Sequence, residues 1–179
     1  MMNLIPHALV IGGTGMLSGV CTALAAKKWN VSVIGRSKNK FKPLMEQHPE
    51  AIFPIQADYD SEKIFRLVQR AIDERGTLDL IISWTPNHKA LERICKLNAS
   101  SAHFQLLHIK GSKRYFHDTE IDLPENCAYQ KIFLGYMGEA GETRWLSHEE
   151  ISKGIFRQIG STETASIIGQ IEPYEARPQ

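Results

Sequence analysis

The chain of 179 residues carries 21 Lys+Arg against 20 Asp+Glu, a formal net charge of +1, which excludes a bulk signature for binding nucleic acid or another polyanion. With 42% apolar and 23% charged residues, 13 Gly and 8 Pro, the composition is globular and excludes collagenous, disordered and disulfide-scaffold classes. Cys21, Cys95 and Cys127 are far apart in the chain without C-x-x-C or Cys/His ligand spacing, the pattern of reduced, buried thiols.

Residues 1–26 contain no Asp, Glu, Lys or Arg, so a leader or membrane anchor must be weighed first. No basic segment precedes the apolar run, and Pro6, Gly12, Gly13, Gly15 and Gly19 interrupt it, with polar Thr14, Ser18 and Thr22 among them. The expectation is a soluble, cytoplasmic protein without a membrane partner.

From there, short apolar runs alternate with amphipathic stretches. Ala8–Ile11 reads as a buried strand, Leu17, Val20, Cys21 and Leu24 as one helical face, and Val31–Ile34 as a second strand. The pattern continues through Ile52–Ile55, the helical positions Ile64, Leu67, Val68, Ala71 and Ile72, the strand Leu78–Ile82, the helical positions Leu91, Ile94 and Cys95, and the strand Phe104–Ile109. Strands joined by helices predict an α/β fold: a doubly wound, mainly parallel sheet of Rossmann type, because parallel neighbours require crossovers that cover both faces. Pro54 lacks the N–H that a central strand needs, which places the third strand at an edge, as in the order 3-2-1-4-5. One or two further strands are expected, near Ala128–Tyr136 and Ala165–Ile171, with a glycine-rich turn at Gly138–Glu142 and a helix at His148–Ile159. Ser147 and Glu150 form the S-x-x-E capping box of that helix. Residues 1–172 read as a single nucleotide-binding domain and 173–179 as an irregular tail.

The segment Gly12-Gly13-Thr14-Gly15-Met16-Leu17-Ser18 lies where the first strand turns into the first helix. Glycines let backbone approach a pyrophosphate closely there, and the free N–H groups and dipole of the helix N-terminus favour negative charge. A ligand-free tight turn is the other reading. At the end of the second strand, about 20 positions on, an acid selects NAD and a cation suits NADP. This chain has Gly35, Arg36, Ser37 and Lys38, so NADP(H) is expected over NAD(H), unless Arg36 and Lys38 are simply a solvated loop. After the third strand, Asp58 and Tyr59 lie where an adenine would sit; Asp58 could equally cap a helix.

These motifs resemble the short-chain dehydrogenase/reductase superfamily, in particular its extended and atypical members, over roughly residues 7–112. The resemblance implies NADP(H) binding, with Gly12, Gly15 and Ser18 at the three glycine positions, Arg36 at the 2′-phosphate and Asp58 at the adenine. Ser18 replaces the third glycine. The Tyr-x-x-x-Lys pair that the superfamily carries on a helix after the fifth strand is missing there: Tyr115, Tyr129 and Tyr136 are followed four positions later by Thr119, Phe133 and Ala140. Only 16 residues separate Gly111 from Ala128, including Pro124, too few for the superfamily's long helix.

What remains beyond the strand ends is Ser83, Trp84, Thr85 and His88 after the fourth strand, and Lys110, Ser112, Lys113 and Arg114 after the fifth, where open α/β sheets bind ligands. Ser112 matches the superfamily's catalytic serine in position, or caps a turn. His88 is the candidate proton donor, or a capping or surface histidine. Lys110, Lys113 and Arg114 are candidates to hold an anion, or a solvated face. The seven histidines show no metal spacing, so no metal is expected. Two functions follow as expectations: an atypical NADP(H)-dependent oxidoreductase acting on a small molecule, or a non-catalytic NADP(H)-binding sensor or regulator. Assembly as a homo-oligomer is left open.

Overall fold

The computed structural model describes residues 4–179; residues 1–3, which belong to the uncharged N-terminal segment and to the expected domain 1–172, lie outside the described residues. A seven-stranded parallel sheet has the order β3-β2-β1-β4-β5-β6-β9. Its strands are β1 (His7–Ile11), β2 (Asn30–Gly35), β3 (Ile52–Gln56), β4 (Leu80–Ser83), β5 (Phe104–Gly111), β6 (Cys127–Leu134) and β9 (Ala165–Ile168). The first five stand in the order expected of a doubly wound fold, and β3, which pairs Pro54 with Val33, is the edge.

Side-chain alternation along the strands builds two cores. Ala8 and Val10 of β1 point into one, with α1 (Ser18–Ala26), α2 (Lys38–Gln47) and α6 (His148–Gln158); Leu9 and Ile11 point into the other, with α3 (Lys63–Arg75) and α4 (His88–Leu97). The central strands are thus buried on both faces, which is why they read as unbroken apolar runs.

The C-terminal third has its expected strands, as β6 and β9, and its expected helix, as α6, but departs from expectation after β6. The strand expected to reach Tyr136 ends at Leu134, where Gly135 N–H donates to Ile168 O (2.9 Å), and the chain leaves the sheet. Tyr136 instead exchanges backbone hydrogen bonds with Gln170 and starts an antiparallel hairpin, β7 (Tyr136–Glu139) and β8 (Glu142–Trp145). The residues read as a glycine-rich turn are its tip: Ala140 (φ 50°) and Gly141 (φ 82°) both take left-handed backbone, as a two-residue hairpin turn with matched twist requires. The tail is also more ordered than expected. Tyr136 OH donates to Pro173 O (2.5 Å), Tyr174–Ala176 forms a 3-10 turn, and the Tyr174 ring stacks edgewise on Phe116 (5.1 Å).

Between β5 and β6 the crossover contains only α5 (Ser112–Phe116), followed by coil whose Ile121 and Leu123 pack on the α3/α4 core. This short crossover leaves the C-terminal ends of β4 and β5 open.

Candidate functional site

The turn after β1 holds its shape through Gly12, whose φ of 87° suits a residue without Cβ. A Cβ on Gly12 would also lie 3.2 Å from Trp84 O. No side chain caps α1, and among the described residues the backbone N–H groups of Thr14, Gly15 and Met16 find no backbone acceptor. Thr14, Gly15 and Met16 line a cleft of about 400 Å³. Its walls are the glycine turn, the end of β2 and the loop after β4.

Of the residues singled out for a cofactor, Gly12, Thr14, Gly15, Met16, Gly35, Arg36, Ser37, Tyr59 and Trp84 line this cleft together. Others do not. Gly13 and Leu17 are buried beneath the turn, where Gly13 packs on Cys21, Val33 and Val10, and Leu17 belongs to the core. Ser18 opens α1, its neighbours facing α6. Lys38 is exposed as the first residue of α2 and lies outside the cleft lining; the loop reading fails for it because the helix begins there. Asp58 lines the neighbouring groove between β3 and α3 rather than the cleft, and its carboxylate accepts from Asp60 N–H (3.0 Å), a local turn that uses one oxygen. Ser83 is fully buried, its hydroxyl unpartnered. Thr85 is also buried; its hydroxyl accepts from Asn87 N–H (3.2 Å) and shapes the start of α4.

The sequence reading missed Lys40, which lines the cleft beside Arg36. Its signal was present, since Lys40 stands four positions after Arg36, one turn into a helix that starts at Lys38. Ala57 and Pro86 complete the lining through backbone and ring surface, which no motif announces.

Beyond Trp84 a second cavity of about 420 Å³ opens over the ends of β4 and β5. Trp84, more than a third exposed, lines both spaces, so it does not join the core. His88 enters this cavity as the first residue of α4, whose start is capped by Asn87 Oδ1 accepting from Ala90 N–H (3.0 Å). Its Nδ1 is 3.0 Å from Thr119 Oγ1. Burial, then the charges of Lys110 and Arg114, lower its pKa. Ser112, by contrast, starts α5 outside the cavity lining, and Gly111 rather than Ser112 borders the space.

Lys110 is not a free cation. The β5–β6 register explains why: His108 and Lys110 share a sheet face with Tyr129 and Lys131, and the crossover lays Asp118 over that end. Lys110 Nζ pairs with Asp118, and Lys131 Nζ reaches the same carboxylate at 2.7 Å. Burial alone would raise the Asp118 pKa, but hydrogen bonds from the two lysines outweigh it and pull it to about 2. Burial lowers Lys110 despite its partner. His108 Nδ1 meets Tyr129 OH (2.8 Å), and the His108 ring stands edgewise to His88 at 5.0 Å. Desolvation, aided by Lys110, pushes the His108 pKa down to about 3.

Among the described residues no group of three or more His, Cys, Asp or Glu side chains is placed to hold a metal, and no helix is long and apolar enough to cross a membrane.

No protein-family model matches the chain, and neither does any curated protein. Solved structures do match. The bulky-bulky ketone specific alcohol dehydrogenase from Comamonas testosteroni superimposes with a TM-score of 0.73 at 14% identity, over 97% of this chain and 90% of that one. A short-chain dehydrogenase/reductase of the glucose/ribitol dehydrogenase type from Brucella melitensis gives 0.70 at 12% identity, over 90% and 94%. A variant of the actinorhodin polyketide ketoreductase, solved with NADPH, gives 0.71 at 12% identity, over 93% and 97%.

The chain has the short-chain dehydrogenase/reductase fold.

At these identities the likeness concerns architecture alone. Within the short-chain reductase fold, the cleft beside the glycine turn occupies the crevice beyond the strand ends at the switch point between β1 and β4. The residues there suit a dinucleotide: unpaired N–H groups for a pyrophosphate, two cations and a hydroxyl for a ribose phosphate, and no acid in the lining. The five-residue α5 carries no Tyr-x-x-x-Lys pair.

Proposed function

We propose that the protein is an NADP(H)-dependent oxidoreductase of atypical type, acting on a small carbonyl compound. The observation that carries this reading is the cleft in which the amides of Thr14, Gly15 and Met16 and the cations Arg36 and Lys40 converge without a carboxylate. Gly15 and Met16 would hold the pyrophosphate; Arg36, Ser37 and Lys40 would hold the 2′-phosphate, whose charge disfavours a site built for NAD. Asp58, in the adjoining groove, would meet the adenine only at the cleft's margin.

When bound, the nicotinamide supplies a hydride equivalent. The protein's part is to orient, to exclude water with Trp84 and to deliver a proton. His88 is the group placed to deliver it, because it lines the cavity beyond Trp84 and its ring is held by Thr119. Ser112 is left as a helix-starting residue.

Titration calorimetry with NADPH, NADP+ and NADH tests the reading. NADPH is expected to bind at micromolar levels with NADH far weaker. Arg36→Ala should weaken NADPH by about tenfold or more while leaving NADH unchanged, the scale of a lost charge-assisted hydrogen bond. Equal binding of the two cofactors, or an unaffected Arg36→Ala, refutes the preference. The missing Tyr-x-x-x-Lys pair and the short α5 favour one second reading, a cofactor-binding sensor. Tight NADPH binding without oxidation of NADPH by any ketone, aldehyde, imine or quinone would select it.

A further inference from the structure

The cavity beyond Trp84 has a charge character that the cofactor cleft does not explain. Its volume, about 420 Å³, suits a small molecule. Lys110 lies in its floor, Lys113 and Arg114 form its rim, and no carboxylate lines it. Among the described residues neither Lys113 nor Arg114 makes an ion pair. Asp118, beneath, is shared by two lysines, and Glu92 is paired with Lys89, so the cavity lining keeps an uncompensated positive charge.

We propose that this cavity selects small carbonyl substrates that carry a carboxylate, with Arg114 and Lys113 taking the carboxylate and His88 facing the carbonyl. The proposal deepens the oxidoreductase reading and rests on it for the reaction. In the reduction, the carbonyl carbon would take the hydride equivalent that bound NADPH supplies and the carbonyl oxygen would take the proton of the His88 imidazolium. A hydroxy acid, NADP+ and neutral His88 result, and solvent reprotonates the ring.

The surroundings of His88 make the substrate's charge part of this chemistry. Facing it are Lys110 and His108 from β5, Arg114 from α5, Asp118 and Thr119 from the crossover, and Glu92 from its own helix, with Tyr129 behind His108. Nδ1 is engaged by Thr119, while Nε2 has no hydrogen-bond partner among the described residues. In the absence of an anion, burial and the two nearby cations make the ring harder to protonate. A carboxylate on Arg114 offsets those cations and lets His88 take up a proton, so anion binding arms the donor. Because neutral carbonyl compounds cannot do this, selectivity and proton supply come from one contact.

The test is a pH titration of the histidine ring signals by NMR, without cofactor, in the presence and absence of oxamate, which carries a carboxylate beside an amide carbonyl. His88→Gln assigns the signal. Millimolar oxamate is expected to raise the His88 titration midpoint, Arg114→Ala to weaken oxamate binding by about tenfold or more, and Lys153→Ala on the solvent face of α6 to behave as wild type. An unmoved His88 signal or wild-type binding by Arg114→Ala overturns the proposal. So does loss of oxamate binding at saturating NADPH, which would assign these cations to the cofactor's phosphates. Oxamate binding with the His88 shift in a protein that binds no dinucleotide would uphold the anion pocket and refute the oxidoreductase reading, so the two fail separately.

Discussion

Two glycines of the same turn answer to different forces. A Cβ on Gly13 would lie 2.8 Å from Cys21 Sγ and from Val33 Cγ1 and 2.9 Å from Val10 Cγ1, all in the interior between β1, β2 and α1. Gly13→Ala is expected to destabilise the fold by about 1–3 kcal/mol through overpacking. Gly15 has open space where its Cβ would go. Gly15→Ala should leave urea-unfolding stability unchanged while weakening NADPH, because its methyl projects into the cleft; equal stability losses in the two variants would contradict the assignment. The glycine string was visible in the sequence, but which glycine serves packing and which serves the cleft was not, since that depends on neighbours from β2 and the core. Lys110 teaches the same lesson. It reads as a free cation at a strand end, and only the fold brings Asp118, eight residues on, over it.

At the scale of elements, local chemistry was the most legible. The S-x-x-E motif before α6 is realised in full: Ser147 Oγ accepts from Glu150 N–H (3.1 Å), Glu150 Oε1 accepts from Ser147 N–H (2.9 Å), and Arg144 Nη1 braces the same carboxylate at 2.7 Å. Ser147→Ala is expected to cost about 1 kcal/mol, the usual scale of a lost N-cap. Because Ile151 and Ile155 of α6 are core residues, the loss should appear in global unfolding by urea rather than as local fraying; an unchanged midpoint would refute this. The hairpin β7–β8 was less legible, since its alternation is brief, all of β8 is exposed, and its first strand continues the sequence of β6 without a break in hydrophobicity.

For the whole molecule, two buried histidines on separate strands, at opposite strand ends of the sheet, tie stability to pH. His7 lies at the start of β1, its Nδ1 on Gly76 O (2.8 Å) and its Nε2 on Ser32 Oγ (2.7 Å); burial lowers its pKa. His108, beneath the cavity, is lowered to about 3, again chiefly by burial. Both take protons less readily folded than unfolded. Their contribution is therefore complete above the ordinary histidine value near 6.5 and is lost as pH falls below it, down to about 3 for His108. Within that window each histidine removes up to about 1.4 kcal/mol of stability per pH unit. Urea unfolding at about pH 7.5 and about pH 5.5 should reveal the loss, the lower value standing about a unit above the ordinary carboxylate values near 4. His108→Gln, able to keep a hydrogen bond to Tyr129, should flatten the slope. Equal stability at the two pH values would refute the prediction.

The sequence by itself determined the alternation of strands and helices through β5, the edge position of β3 and the capped α6, because periodicity, proline's missing N–H and capping act between residues close in the chain. It also determined the cation at the end of β2 and the absence of a Tyr-x-x-x-Lys pair after the fifth strand. Tertiary structure alone decided the rest. The β5–β6 register stacks His108, Lys110, Tyr129 and Lys131 on one face, the crossover returns Asp118 and Thr119 over them, and α4 presents His88 to the same space. Those contacts join residues from four segments whose separation in the chain carries no periodic signal, and burial, which shifts their protonation, exists only once the segments have closed together.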